Sequence, residues 1–299
     1  MATRAKRESR NNPQPGKTNT HKNHNPSGVG MLIPLDEKPQ FRCSACGSCC
    51  SHIRGFIPEQ DRAFLKEYAF GRLPVVQLVP VERMTFPLWD WEASRFRQWG
   101  KEAGIDPRVK PLRVIYDEGK GTAIVLSYFM DAETDACPML QERKCAIYHT
   151  KRAYVCRLFP FNRSPVSDPS SSGMDARSYF GECGAMEKIL PELPADKENV
   201  VPFLMEAFPN GEFLNALQND LTIEWSNRTI IELMQGKRLR PAMNLPYEEL
   251  KKKMLYSRQV DFTDFLVECG HLSKVELDLL LQRFDENEDA REWVGGHEL

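Results

Sequence analysis

Nine cysteines stand in this 299-residue chain, and eight of them fall into two groups whose spacing suits metal chemistry. The first group is Cys43-Ser44-Ala45-Cys46-Gly47-Ser48-Cys49-Cys50, a C-x2-C-x2-C-C run. Its small residues leave the backbone room to wrap, so that several sulfurs can face one point. In a helical turn Cys46, Cys49 and Cys50 would share a face. The second group is Cys137, Cys145, Cys156 and Cys183. Thiolates bind zinc and iron–sulfur clusters, and eight of them suit two four-thiolate sites or one cluster with thiols to spare. Adjacent Cys49 and Cys50 are awkward co-ligands of one tetrahedral ion, which points to different ions or different tasks. Spacing alone does not say which thiols share a metal. All eight are candidate ligands, with an iron–sulfur cluster or zinc as the expected cofactor.

Other groups near the thiols are weaker candidates. The imidazoles of His52 and His149 lie close in sequence and would complete a site if thiols ran short. Arg42, Arg152 and Arg157 are placed to offset thiolate charge or donate hydrogen bonds to sulfur. Tyr148, Phe159 and Phe161 read as a dry wall beside the cluster. Cys269 stands alone in a helical stretch and reads as a small buried hydrophobe. The C-x2-C-x2-C run and the Cys137-Pro138 pair resemble pieces of the bacterial ferredoxin ligand pattern, whose full form is absent. The chain lacks H-E-x-x-H, a Walker A loop, G-x-S-x-G and a dinucleotide fingerprint. Its carboxylates read as solvated helix faces, and no general base stands out.

The elements that must carry these residues have their own signals. Pro58 opens a helix expected over Glu59 to Phe70, stopped by Gly71. Trp91, Phe96, Trp99 and Ala103 predict a second helix ended by Gly104. Leu112 to Tyr116 and Thr122 to Met130 are β-branched and aromatic and flank Asp117-Glu118-Gly119-Lys120-Gly121, which predicts a β-hairpin. That hairpin ends just before Cys137 and would place it. Pro165 to Gly173 is a polar loop. Beyond Pro191 the spacing is helical, through Phe213, Leu217, Ile230, Met234, Leu250, Met254 and Leu272 to Phe284. The expected architecture is α+β: a basic disordered tail over 1–40, a cysteine-cluster domain over 41–190, a subdomain of several short helices over 191–285 and an acidic solvated tail over 286–299.

Composition narrows the function classes. The chain is 41% hydrophobic and 27% charged with a net charge of -2, as expected of an ordinary globular protein. A membrane span needs about 18 consecutive apolar residues, and the longest apolar run, Ala123 to Met130, is far shorter. The N-terminal stretch is basic but has no apolar core behind it, so no export signal is expected. Nine cysteines without export point to a reducing, cytoplasmic setting. The basic arm lacks interleaved aromatics, and the net charge gives no pull toward nucleic acid.

At the thiols the sequence resembles the YkgJ-like CxxCxxCC cysteine-cluster family, described as zinc- or iron-chelating. The matching pieces are Phe41-x-Cys43-x-x-Cys46-Gly47-x-Cys49-Cys50, Cys137-Pro138-x-Leu140, Cys145-x-Ile147-Tyr148, Arg152 and Cys156-Arg157-x-Phe159-Pro160, over roughly half the chain. Ala153 stands where the family usually has proline, and His149 where it often has an acid. The resemblance implies a metal-binding module with a redox, metal-handling or partner-support role. One related branch, the flagellin lysine N-methylases, implies a protein-modifying enzyme, although no glycine-rich S-adenosylmethionine loop is present. The third alternative is an interaction protein with purely structural zinc, whose helical extension meets a protein partner.

Overall fold

The computed structural model describes residues 39–54, 73–148, 152–161, 163–166, 183–194, 197–243 and 245–296. The helix expected over Glu59–Phe70, nearly all of the expected basic tail and His149 lie outside the described residues.

The chain is α+β. Two short strands, β1 (Val76–Gln77) and β2 (Pro87–Trp89), precede helix α1 (Asp90–Glu102). Helix α1 stops where the sequence predicts, with Gly104 beyond it at φ +70°. Strands β3 (Val109–Asp117) and β4 (Thr122–Met130) form the expected hairpin, in antiparallel register from Asp117↔Thr122 to Val109↔Met130. All nine residues of β4 are buried, because both faces of the strand are covered. Alternation along the strand sends Ala123 and Val125 toward Ala93 and Phe96 of α1. Ile124 and Leu126 point the other way, into a second cluster with Ile115.

The thiol region follows and is built from very short pieces. Strands β5 (Leu140–Gln141) and β6 (Lys144–Cys145) pair with each other, and helix α2 (Tyr154–Arg157) is a single turn. Next come helices α3 (Lys197–Ala207), α4 (Glu212–Gln235) and α5 (Tyr247–Tyr256), then strand β7 (Arg258–Asp261). Helices α6 (Phe262–Glu268), α7 (Lys274–Asp285) and α8 (Glu288–Gly296) complete the order. Among the described residues no helix is long and apolar enough to cross a membrane.

The C-terminal half departs from the sequence reading in three ways. Beside the expected short helices it contains α4, one continuous helix of 24 residues. It is also not an appended layer. Strand β7 pairs in parallel with β4, from Thr122↔Arg258 to Val125↔Asp261, on the same edge of β4 that β2 occupies further along. Ile230 and Leu233 of α4 and Phe262 and Phe265 of α6 then cover the Ile124 face. Residues 38–299 accordingly form one compact unit, with no boundary at 190.

The expected acidic tail is the third departure, since residues 288–296 form α8. Ala290 is 0% exposed and Val294 8%. The buried Gln218 of α4 holds this helix with both ends of its amide: Nε2 donates to Asp289 Oδ2 at 2.9 Å, and Oε1 accepts from Ala290 N at 3.1 Å. A polar group left unpaired in that position would cost about 1–3 kcal/mol, so the pairing ties α8 firmly to α4. The acids count toward a tail only while Ala290, Trp293 and Val294 are overlooked.

Candidate metal centre

The first cysteine block is a loop ending in one 3-10 turn over Cys49–Ser51. Gly47 explains its path. Its φ is +78°, and a Cβ there would lie 2.8 Å from Arg143 O and 2.9 Å from the Leu140 side chain. Only glycine fits both the left-handed backbone and the close approach, so the loop lies flat on the β5–β6 hairpin. That hairpin turns through Glu142 and Arg143, at φ 48° and 65°, the pair of positive φ values a tight two-residue turn requires. The turn places Cys145 opposite Leu140. Cys137 N donates to Cys50 O at 2.7 Å, and Ile53 N to Asp135 O at 2.9 Å. The two cysteine blocks, far apart in sequence, are therefore in direct backbone contact.

Cys156 reaches the same region on α2. The helix start is held by Glu92 of α1, which is 3% exposed. Tyr154 N donates to Glu92 Oε1 at 2.5 Å and Trp89 N to Oε2 at 3.4 Å. Tyr154 Oη donates to Asn287 Oδ1 at 2.7 Å, linking the thiol region to the C-terminal helices.

The sulfurs feel one another. Cys49 Sγ lies 3.9 Å from Cys50 Sγ, and that hydrogen bond, then burial, push the Cys49 thiol well above its ordinary range. Burial pushes Cys137 up to about 12, with the neighbouring Cys145 and Cys49 adding to it. Cys145 and Cys156 are raised in turn, first by burial, while Arg152 pulls each of them down. Cys183 is also raised, by burial first and then by Cys43 and Cys46. Each additional negative sulfur is thus opposed by burial and by its neighbours, a situation that a cation reverses.

The donor set therefore fits zinc or iron in its chemistry. All eight cysteines of the two blocks are free thiols, and soft sulfur ligands favour these metals. Among the described residues, no three His, Cys, Asp or Glu side chains already stand around one point as a finished ligand cage. Closing on an ion would take side-chain rotation in loops that are short and only half-buried.

The second-tier candidates divide. His52 faces away, its Nδ1 3.3 Å from Asp135 Oδ2 on the exposed surface. Arg152 stands beside the thiols: it lies 4.9 Å from the centre of the Tyr148 ring, donates to the Cys156 carbonyl oxygen and not to a sulfur, and its charge pulls Cys145 and Cys156 down. Arg157 instead clamps the C-terminal helices, donating to Asp285 O at 3.1 Å with its guanidinium 4.5 Å from the Tyr154 ring. Arg42 is exposed. The Tyr148 hydroxyl and the Cys43 thiol share a hydrogen bond, and Phe159 and Phe161 belong to the cluster that Cys43 and Cys183 pack against. Cys269 packs against the separate cluster on the far face of the sheet.

Sequence reasoning missed the buried carboxylates. Asp90, Glu92 and Glu212 are 1%, 3% and 4% exposed, whereas helix-face acids were expected to be solvated. The aromatic surroundings of the first two, in Trp89-Asp90-Trp91-Glu92, are the only local hint. Glu212 has none.

Residues 42–180 match the family model CxxCxxCC, a "Putative zinc- or iron-chelating domain". The match takes in seven of the eight thiols and stops short of Cys183. No curated protein and no solved structure matches the chain.

Proposed function

We propose that this chain binds zinc or iron through the thiols of Cys43, Cys46, Cys49, Cys50, Cys137, Cys145, Cys156 and Cys183, and that the metal fastens together loops the polypeptide connects only weakly. One observation carries the reading. Separate stretches of irregular chain deliver free thiols to adjoining positions, where their charges oppose one another. Elements of two to four residues contribute little stability of their own, so a shared ion acts there as a crosslink. Cys46 is exposed and most of its partners are half-buried, which leaves the metal reachable from solvent. That favours metal handling over sealed storage.

Anaerobic purification with metal and sulfide analysis and a visible spectrum tests this. Iron with matching sulfide and broad visible absorbance identifies a cluster. Colourless protein with stoichiometric zinc identifies a zinc site. Protein containing neither metal, and taking up neither when supplied, overturns the proposal.

A further inference from the structure

The face of the sheet turned away from the Cys137 cluster borders a cavity of about 70 Å³, set between α4 and strands β3 and β4. A break in β4 shapes it. Arg113 pairs with Ser127, but the next residue, Val114, pairs with Val125, so Leu126 is left over. An extra residue of this kind bends a strand and re-aims the side chains beside it. Val125 and Tyr128, three positions apart, accordingly both reach the α1 side. Leu126 and Ser127, which strict alternation would set on opposite faces, both line the cavity. Arg113 and Trp89, the cross-strand partners of Ser127 on its two sides, line it as well. From α4 come Ile223, Ser226, Asn227 and Ile230, spaced along one helix face.

The polar side of this cavity is incomplete. Ser127 is 8% exposed, and its Oγ has no hydrogen-bond partner among the described residues. A buried hydroxyl in that state is unfavourable, and a bound polar group relieves it. Arg113, Ser226 and Asn227 add further N–H and O–H donors, and among the described residues no acid lines the space. A guanidinium carries five N–H donors, so Arg113 can serve a ligand beside its contacts within the protein. The rest of the wall is Leu73, Val75, Trp89, Leu126, Ile223 and Ile230. Against such a wall a water finds few of the roughly two to four polar partners it needs.

We propose that this cavity binds a short-chain monocarboxylate. Arg113 and Ser127, neighbours across the β3–β4 pairing, receive the carboxylate, and the apolar wall covers the alkyl tail. Donors without an acid favour an anion, and the apolar wall favours one with a hydrocarbon body over an inorganic one. The volume is about half of the roughly 150 Å³ that holds benzene in an engineered cavity, which limits the tail to a few carbons. Ile223, 38% exposed, stands at the outer edge. The site shares no residue with the thiol centre, so its test is independent of the metal-binding reading.

The test is an amide chemical-shift titration of the full-length protein at neutral pH with isobutyrate and, separately, with isobutyramide, which has nearly the same shape and no charge. The amides of Leu126, Ser127 and Ile230 should shift saturably with isobutyrate, and isobutyramide should bind about tenfold more weakly. Arg113→Gln should weaken isobutyrate by a similar factor and leave isobutyramide unchanged. Ser127→Ala should weaken both by about two- to tenfold. Circular dichroism checks the folding of each variant, and the comparison of acid with amide on the wild type decides the proposal even where a variant does not fold. No saturation with isobutyrate overturns it, since the cavity then holds water only. Equal binding of acid and amide overturns it as well, because the charge is then not read. Inorganic phosphate that shifts the same amides as tightly as isobutyrate does also overturns it, because the tail then contributes nothing.

Discussion

Met130 ends the β3–β4 hairpin with its sulfur 4.0 Å from Cys137 Sγ, and on either side of that contact the chain is held by different means. The hairpin carries a ladder along its whole length, irregular only around Arg113, and its second strand is buried on both faces. Each buried Val or Ile there stabilises the fold by about 1.5–3 kcal/mol. From Leu140 to Arg157 the elements run for only two or four residues. Besides a few buried side chains such as Ile147, Ala153 and Tyr154, their contacts are single hydrogen bonds between loops and sulfurs that oppose each other's ionisation. A sheet folds on apolar area; on the reading proposed above, a bound ion supplies the thiol loops with comparable stability.

Removing the metal should break the comparison most sharply. A structural zinc ion contributes on the order of 10 kcal/mol. With a strong chelator, the amides of Ser51, Cys137 and Ala146, which bond across the thiol loops, should lose their protection from hydrogen exchange. The amides of β3 and β4 should keep theirs. Equal loss in both regions would show that they are not independently held.

Two substitutions sharpen it from opposite sides. Ile124→Ala empties a fully buried position in the sheet and should cost about 2–5 kcal/mol of stability, with the metal content of the folded fraction unchanged. Gly47→Ala should cost less, about 1–3 kcal/mol, because the loop can yield by shifting away from Arg143 O. That shift separates the two cysteine blocks, so metal affinity should fall by more than thermal stability does. Metal titration and thermal melts on both variants check the crossover.

These two regions were also unequally legible in the sequence. The hairpin and α1 were readable because alternation and a glycine stop are local signals. The thiol blocks were readable because cysteine is rare and their spacing is tight. What stayed hidden depends on contacts between distant residues. The apolar period of α4 is interrupted by Gln218, Thr222, Ser226 and Thr229, which are buried in the structure but look like solvent-facing breaks in a sequence. Strand β7 is Arg-Gln-Val-Asp, and nothing in those four residues announces a parallel pairing more than a hundred positions away. Charge concealed α8 in the same way. Glu92 resembles any helix-start acid until Trp89 and Tyr154 are assembled around it.

Asp90 offers the smallest and most specific test, because it lies on the sheet side of the comparison and away from the thiols. Its Oδ2 accepts hydrogen bonds from Thr263 N and Oγ1, both at 2.7 Å, while Oδ1 is buried without a partner. Burial raises the carboxyl from 3.8 to about 7, and the nearby Asp261 carboxylate adds to the rise. The unfolded chain ionises this group near its ordinary value, so the folded state retains a proton that the unfolded state has lost. Its stabilising effect is therefore complete below about pH 4 and disappears as pH rises through about 7. Between about pH 6 and pH 8 the fall should amount to about 1 kcal/mol from this residue. Asp90→Asn, which keeps an acceptor for Thr263, should flatten that segment of the stability profile at constant metal loading. Denaturant melts across this range decide it. If wild type and variant lose stability in parallel, the pH response belongs to the thiol region and not to the sheet.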